Sequence, residues 1–455
     1  MKKIKLAAAS GYWGEPLDLP RELAEREELD YIGIELLAEV SMAILQRWKN
    51  KNPKVGYVPD LIEMMKLILP NTASKGTKII TNGGGTNPMQ AGKEIKKLIE
   101  DMNLGPMKIA VIEGEDVKDK IDKLLDDGVV LSNLDTGEKD IRKIKDDIVA
   151  AHAYIGSEKI VEALKQGADI VIGGRLSDNA LYVGPMMYEF GFDFDDLKMM
   201  GSAITIGHIV ECGECSVGGM SNFWENNKEP WNMGMPIAEV SENGDAIIGM
   251  TRDSGGHVSE NTIREHLVYE VHNPNEYIMP DGIGDLTKAM LQQVGPNKVK
   301  VTNMNGKARP EMLKVQVGYY DSWVAQAEIL IPWPNALTKV KLQEKIIRKR
   351  LEKFKLEPLE INFEWVGLNS AHGVVAPIPE DEDTINEILL RISAKFKDRK
   401  DAETARRQCL MGSLIFAPVG AAFGVPTPVR RIVGLWPTLV PRDTVELKLT
   451  MLEAN

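Results

Sequence analysis

The sequence predicts an α/β protein, with an N-terminal three-layer domain on a mostly parallel sheet and a second α+β domain behind it. Two observations carry this reading. Residues 1–195 alternate short β-prone apolar runs with stretches of helical periodicity, the pattern of a parallel sheet covered on both faces. From about residue 196 that alternation gives way to paired strands and long helices, so the domains are expected at 1–195 and 196–455. At 455 residues the chain can hold two or three cores. A TIM-type barrel is the lesser alternative for the first domain.

Taken in order, Ile4–Ala9 reads as a buried strand followed by the loop Ser10-Gly11-Tyr12-Trp13-Gly14. Leu19, Leu23 and Ala24 mark a helix, and Tyr31–Leu36 a second strand ending at Glu35, with Glu39 beyond it. A helical pair runs to Leu69. The run Thr77-Lys78-Ile79-Ile80 then leads into Thr81-Asn82-Gly83-Gly84-Gly85-Thr86-Asn87-Pro88. Pro88 suits the first turn of a helix carrying Ala91, Ile95 and Ile99. Lys108–Ile112 and Asp169–Ile172 are further strands, the latter delivering Gly173-Gly174-Arg175-Leu176-Ser177-Asp178.

In the second domain, a helix through Leu197 and Ile204 reaches His208, Glu211, Cys212 and Cys215. Ala238–Ile248 is a hairpin turning at Asn243-Gly244. Ser254-Gly255-Gly256-His257 precedes a helix that Ser259 could cap. Two strand pairs fill residues 297–332, helices are expected at 336–354 and 381–397, and a strand at Glu360–Val366. Gly420-Ala421-Ala422-Phe423-Gly424 and Leu435–Thr438 return to loops and strands.

Strand-to-helix loops of a parallel sheet emerge together at its carboxyl edge, where ligands bind. Gly11, Glu35, Asn82–Asn87, Glu113–Asp116 and Gly173–Asp178 should therefore converge. Three glycines before a helix N-terminus let a backbone approach an anion, so Asn82, Gly83, Gly84, Gly85 and Asn87 are candidate ligands of a carboxylate or phosphate. Their order fits neither a Walker loop nor a dinucleotide fingerprint, which disfavours a nicotinamide oxidoreductase. Gly174 and Arg175 are candidates for the same anion, because a guanidinium holds a carboxylate by two parallel hydrogen bonds. Ser254, Gly255 and Gly256 repeat the anion-site logic. Glu35, Asp178 and His257 are the candidate acid and base groups. Trp224, Trp231 and Trp436 could line an apolar pocket or fill a core.

His208, Cys212 and Cys215 share one helix face, which could make a zinc site with Glu211 as base. A lone C-x-x-C is thin support, and Gly213 threatens the helix, so no metal is assigned and His208 and Cys212 stay weak candidates. A net charge of −12 with dispersed cations argues against nucleic acid as partner. Three cysteines exclude a disulfide framework and fit a reducing cytoplasm. The apolar run after Met1–Lys5 is too short for a signal peptide, and none approaches the ~18 residues of a membrane span.

Read together, these stretches resemble the acyclic terpene utilisation protein AtuA family, formerly a domain of unknown function. The resemblance rests on residues 30–39 (DYIGIELLAE), Thr81–Pro88, Gly173–Asp178 and residues 207–213 (GHIVECG). It extends through residues 236–240 (PIAEV), Ser254-Gly255-Gly256 and residues 435–441 (LWPTLVP). The family implies degradation of branched acyclic terpenoids and related acyl-CoA or carboxylic-acid compounds. Many of its members carry an extra small ferredoxin-like α+β domain at the C-terminus. That domain is missing before Asn455, so a separate small ferredoxin-like subunit is an expected partner, in a homo- or hetero-oligomer.

The resulting expectation is a cytoplasmic enzyme acting on an organic acid or its CoA thioester, with a hydratase or lyase reaction favoured. Glycine loops and Arg175 would hold the acid, and Glu35 with Asp178 or His257 would move the proton. CoA enters only as part of the substrate. The alternative is a non-catalytic, thioester-binding scaffold subunit.

Overall fold

The computed structural model describes residues 2–410, 421–422 and 427–455. Strand Lys3–Ser10 (β1) leads to helix Asp18–Arg26 (α1), strand Tyr31–Ile34 (β2), helices Ser41–Lys51 (α2) and Pro59–Lys75 (α3), and strand Lys78–Thr81 (β3). Helix Pro88–Asp101 (α4), strand Met107–Glu113 (β4), short helix Ile121–Asp126 (α5) and strand Ile148–Ala153 (β5) follow, then helix Glu158–Lys165 (α6) and strand Ile170–Ile172 (β6). Strands β1, β2, β3, β6 and β4 lie side by side in that order, each parallel to its neighbours.

Burial on both faces explains why these strands read as continuous apolar runs rather than alternating ones. Ile32, Ile34, Ile79, Ile109 and Val111 pack in one core with Leu23 of α1, Met64 and Ile68 of α3, and Ile95 of α4. Each such side chain contributes about 1.5–3 kcal/mol on burial. The intervening Gly33 faces the other layer, where a Cβ would stand 2.6 Å from the Tyr182 ring. Tyr182 belongs to helix Ala180–Phe190 (α7), which covers that face with helix Leu197–Glu211 (α8). The three layers are thus present, and no barrel closes.

The sheet extends beyond its parallel centre at both edges. Strand Pro236–Ser241 (β7) pairs antiparallel with β1, and Ala246–Met250 (β8) returns beside it through the expected turn, Gly244 at φ 88°. Lys298–Thr302 and Met290–Gly295 continue this edge, while Lys448–Ala454 pairs antiparallel with β4, ten strands in all. Because residues 236–302 build the first sheet, the chain does not divide at 195. Its compact units are Met1–Gly318 with Leu435–Asn455, and Tyr319–Gly434.

The second unit is α+β in itself. Residues 323–332 pair antiparallel with Glu387–Phe396, which pairs in turn with Glu360–Val366. Helix Ala336–Lys353 supplies Val340 and Ile347 to a core with Ile329, Ile331, Leu390 and Ile392. The helix expected at 381–397 is therefore a strand. Ile388, Leu390, Ile392, Ala394 and Phe396 are buried while the residues between them are partly exposed, so the period is two rather than 3.6. Gly420, Phe423 and Gly424 lie outside the described residues.

Candidate functional site

At the carboxyl edge, β2 hands the chain to Glu35, β3 to Asn82, and β6 to the loop carrying Arg175 and Asp178. Asn82 is fully buried and ties two of these ends together. Its Oδ1 accepts the Leu36 N–H at 2.9 Å, and its Nδ2 donates to Glu35 Oε1 at 3.1 Å. The same Glu35 oxygen accepts the Leu37 N–H at 2.7 Å. Arg175, 2% exposed, donates from Nη1 to Asp178 Oδ1 at 2.8 Å and lies 4.1 Å over the Tyr154 ring. Its Nε is buried without a hydrogen-bond partner.

A cavity of about 500 Å³ opens on this cluster, walled by Gly11, Glu35, Arg175 and Asp178 with Glu211 and Cys212. A second lobe of about 280 Å³ adds Tyr154, His208 and Tyr277. Glu39, Asp178, Glu211 and Glu270 line both lobes. Helix α8 brings His208 and Glu211 onto one face, three residues apart, and begins at Asp196, whose side chain accepts the Met199 N–H. His208 Nδ1 and Glu211 Oε1 are 2.9 Å apart, whereas His208 Nε2 and Glu211 Oε2 are buried and unpartnered.

Burial sets the protonation of the cluster. It raises Glu35 well above the usual carboxylate range, and Asp178 adds to the rise while Arg175 opposes it. Glu211 is likewise raised well above that range by burial, with Asp178 and Glu270 contributing. His208 is pushed down to about 4 by burial. Burial thus favours the protonated form of both carboxyls and the neutral form of the imidazole. Burial also raises Cys212, so it is a thiol, not a thiolate.

The model of the acyclic terpene utilisation AtuA family matches residues 4–451. The chain belongs to that family. No curated protein and no solved structure matches it. The site of this AtuA-family member thus has to be read from its own residues.

Of the expected ligands, Gly11, Glu35, Arg175 and Asp178 reach the cavity wall, and Asn82 stands behind Glu35. The triple glycine does not reach it. A Cβ on Gly83 would meet Leu36 at 2.8 Å, on Gly84 the Gly173 carbonyl oxygen at 2.5 Å, and on Gly85 Leu45 at 2.5 Å. These glycines serve close packing, and Asn87 spends its amide on the Pro53 and Val55 carbonyls. Gly174 backs onto Glu115, whose Oε1 would lie 1.6 Å from an added Cβ. Even the Gly11 N–H is taken, by Glu15 Oε2 at 2.7 Å.

The second glycine loop is also structural. Ser254 Oγ donates to the Thr251 carbonyl at 2.6 Å, Gly255 packs on Glu229, and Gly256 on the Met233 and Val217 carbonyls. His257 gives its N–H to Val217 and is absent from the cavity wall. Ser259 caps the following helix through a capping box with Thr262. Trp224 and Trp231 are exposed, while Trp436 is buried and bonded to the Leu131 carbonyl. His208 points at Glu211, and among the described residues no three His, Cys, Asp or Glu side chains are disposed to hold a metal. The cavity wall is rich in acids, with Arg175 the cation of the first lobe and Lys314 that of the second.

Proposed function

We propose that this cavity is the active site of an enzyme of carboxylic-acid or acyl-thioester catabolism that adds or removes water by proton transfer. The observation that carries the reading is Glu35, a buried carboxyl held in place by the Leu37 N–H and the Asn82 amide at the cavity wall. Burial raises its pKa well above that of an ordinary glutamate and so favours the protonated form, the property a general acid needs. In dehydration Glu35 gives its proton to the leaving hydroxyl while Glu211, across the cavity and in its ionised form, takes the proton from the neighbouring carbon; burial raises Glu211 too, which strengthens it as a base. Hydration runs the same two transfers in reverse. Asp178 fixes the orientation of Arg175, and the unpartnered Nε marks the guanidinium edge able to take a substrate carboxylate or carbonyl.

Membership of a family of acyclic terpene utilisation agrees with a catabolic role. The test is turnover by the purified chain on a panel of 3-hydroxyacyl and enoyl thioesters and their free acids. At least one member is expected to exchange water. Arg175→Lys, which keeps the charge but loses the planar fork, should raise KM for it by about tenfold or more. Failure of every panel member, alone and with a co-purified partner, would overturn the reading.

A further inference from the structure

The two lobes share a neck of four carboxyl side chains graded by depth: Glu39 and Glu270 are exposed, Asp178 is half-buried, and Glu211 is 7% exposed. Against these the two lobes set the Arg175 guanidinium, which already donates to Asp178, and the Lys314 ammonium, which lies 4.9 Å over the Tyr154 ring. Acids gathered on a concave wall focus a negative potential into it and attract cations. A cluster of acids alone would not define a site, but two further observations point to an absent ligand. Glu211 Oε2 and His208 Nε2 are buried polar atoms with no partner, on side chains that line the neck and the second lobe. Buried polar atoms are nearly always hydrogen-bonded, so each one left bare calls for a partner.

The chemistry of the cation follows from the geometry. Coordination of a metal needs three or more donors in one shell, and no such group occurs among the described residues. An ammonium asks less, since its three N–H bonds can reach separate acceptors singly. We propose that the neck binds a primary ammonium group, so that the substrate is an amine-bearing acid or thioester whose carboxyl end meets Arg175. This rests on the active-site reading given above and narrows its substrate class.

The test is calorimetric titration of the intact chain with 5-aminopentanoate, pentanoate and N-acetyl-5-aminopentanoate, repeated on the double variant Glu39→Gln, Glu270→Gln. Both residues are exposed, so the variant should fold as the parent does. The expected result is that 5-aminopentanoate binds at least about tenfold more tightly than either analogue, and that the double variant loses this preference while leaving pentanoate unchanged. Equal affinity for all three, an undiminished preference in the double variant, or binding of Mg²⁺ at the neck in place of the amine would each overturn it. The parent and Glu35→Gln together separate the two readings. If the parent prefers the amine but Glu35→Gln turns thioesters over as the parent does, only the acid role of Glu35 falls. If Glu35→Gln loses turnover and the parent shows no amine preference, only this inference does.

Discussion

Replacing Glu35 by Gln tests the site through activity and stability at once. Gln keeps an oxygen to accept the Leu37 N–H (2.7 Å) and the Asn82 amide (3.1 Å), so the local frame survives. What disappears is the proton donor. General acid–base catalysis is worth about 10²–10⁴-fold, or roughly 3–5 kcal/mol of barrier, so kcat/KM should fall by that factor. Stability should move the other way. Because the folded-state pKa of Glu35 is raised, its favourable contribution is full below the unfolded value near 4.5 and is lost as pH rises through the folded value. Each pH unit across that window costs the parent about 1.36 kcal/mol. Glu35→Gln escapes the cost, so its melting temperature should match the parent at pH 4.5 and exceed it increasingly as pH rises from there. Melts by circular dichroism at several pH values, with initial rates on the active substrate, give both readouts. Near-parental turnover, or a variant whose deficit in melting temperature grows with pH, would refute the reasoning.

Two further expectations probe the frame around the site. Gly174→Ala should destabilise the protein by about 1–3 kcal/mol or more in urea unfolding, because its Cβ would lie 1.6 Å from Glu115 Oε1 and 2.7 Å from the Gly85 carbonyl oxygen. A neutral result would mean that the Glu115 side chain swings clear. His266 is buried with its pKa pushed down to about 3 by burial and by His208, and its Nε2 donates to the His208 carbonyl at 3.0 Å. A depressed histidine pKa means the unfolded chain binds the extra proton, so stability falls as pH drops from 6.5 toward 3. His266→Gln keeps a donor and should flatten that acid limb; an unchanged slope would assign the limb to other groups.

The parts of the fold that were legible in the sequence are those where burial pattern and turn chemistry agree. Buried runs such as Ile79–Ile80 and Lys108–Ile112 announced the parallel strands, Pro88 the start of α4, and Asn243-Gly244 the hairpin. Glu387–Phe396 was misread because Leu389, between two core positions, is apolar and mimics a helical stripe. The site was half legible. Order along a parallel sheet placed Gly11, Glu35, Asn82 and Arg175 at one edge. It said nothing of why glycines occur in a row, since close packing and ligand approach demand the same missing Cβ. Tyr154, on the residue after β5, and Glu270, in a turn at φ 57°, carry no periodic signal and were missed. Glu211 could be found only as the third residue after His208 on one helix face, and there it was taken for part of a zinc site.

Asp178 links these carboxyls, and its removal has a definite sign. It raises both Glu35 and Glu211, whereas Arg175 lowers both, so the paired Asp178 blunts the effect of the guanidinium on each acid. Asp178→Asn keeps an oxygen for the Arg175 Nη1 hydrogen bond and removes the negative charge. Both carboxyls then lose a repulsive neighbour and feel an unneutralised cation, so both release their protons at lower pH. An activity that needs protonated Glu35 must fail earlier on the alkaline side. The upper limb of the kcat/KM profile should move to lower pH by about a unit or more, with little change in maximum if Arg175 stays in place. A limb that stays put would show that the working proton resides on neither carboxyl, and an upward shift would reverse the assignment of Asp178 as the charge holding those protons on.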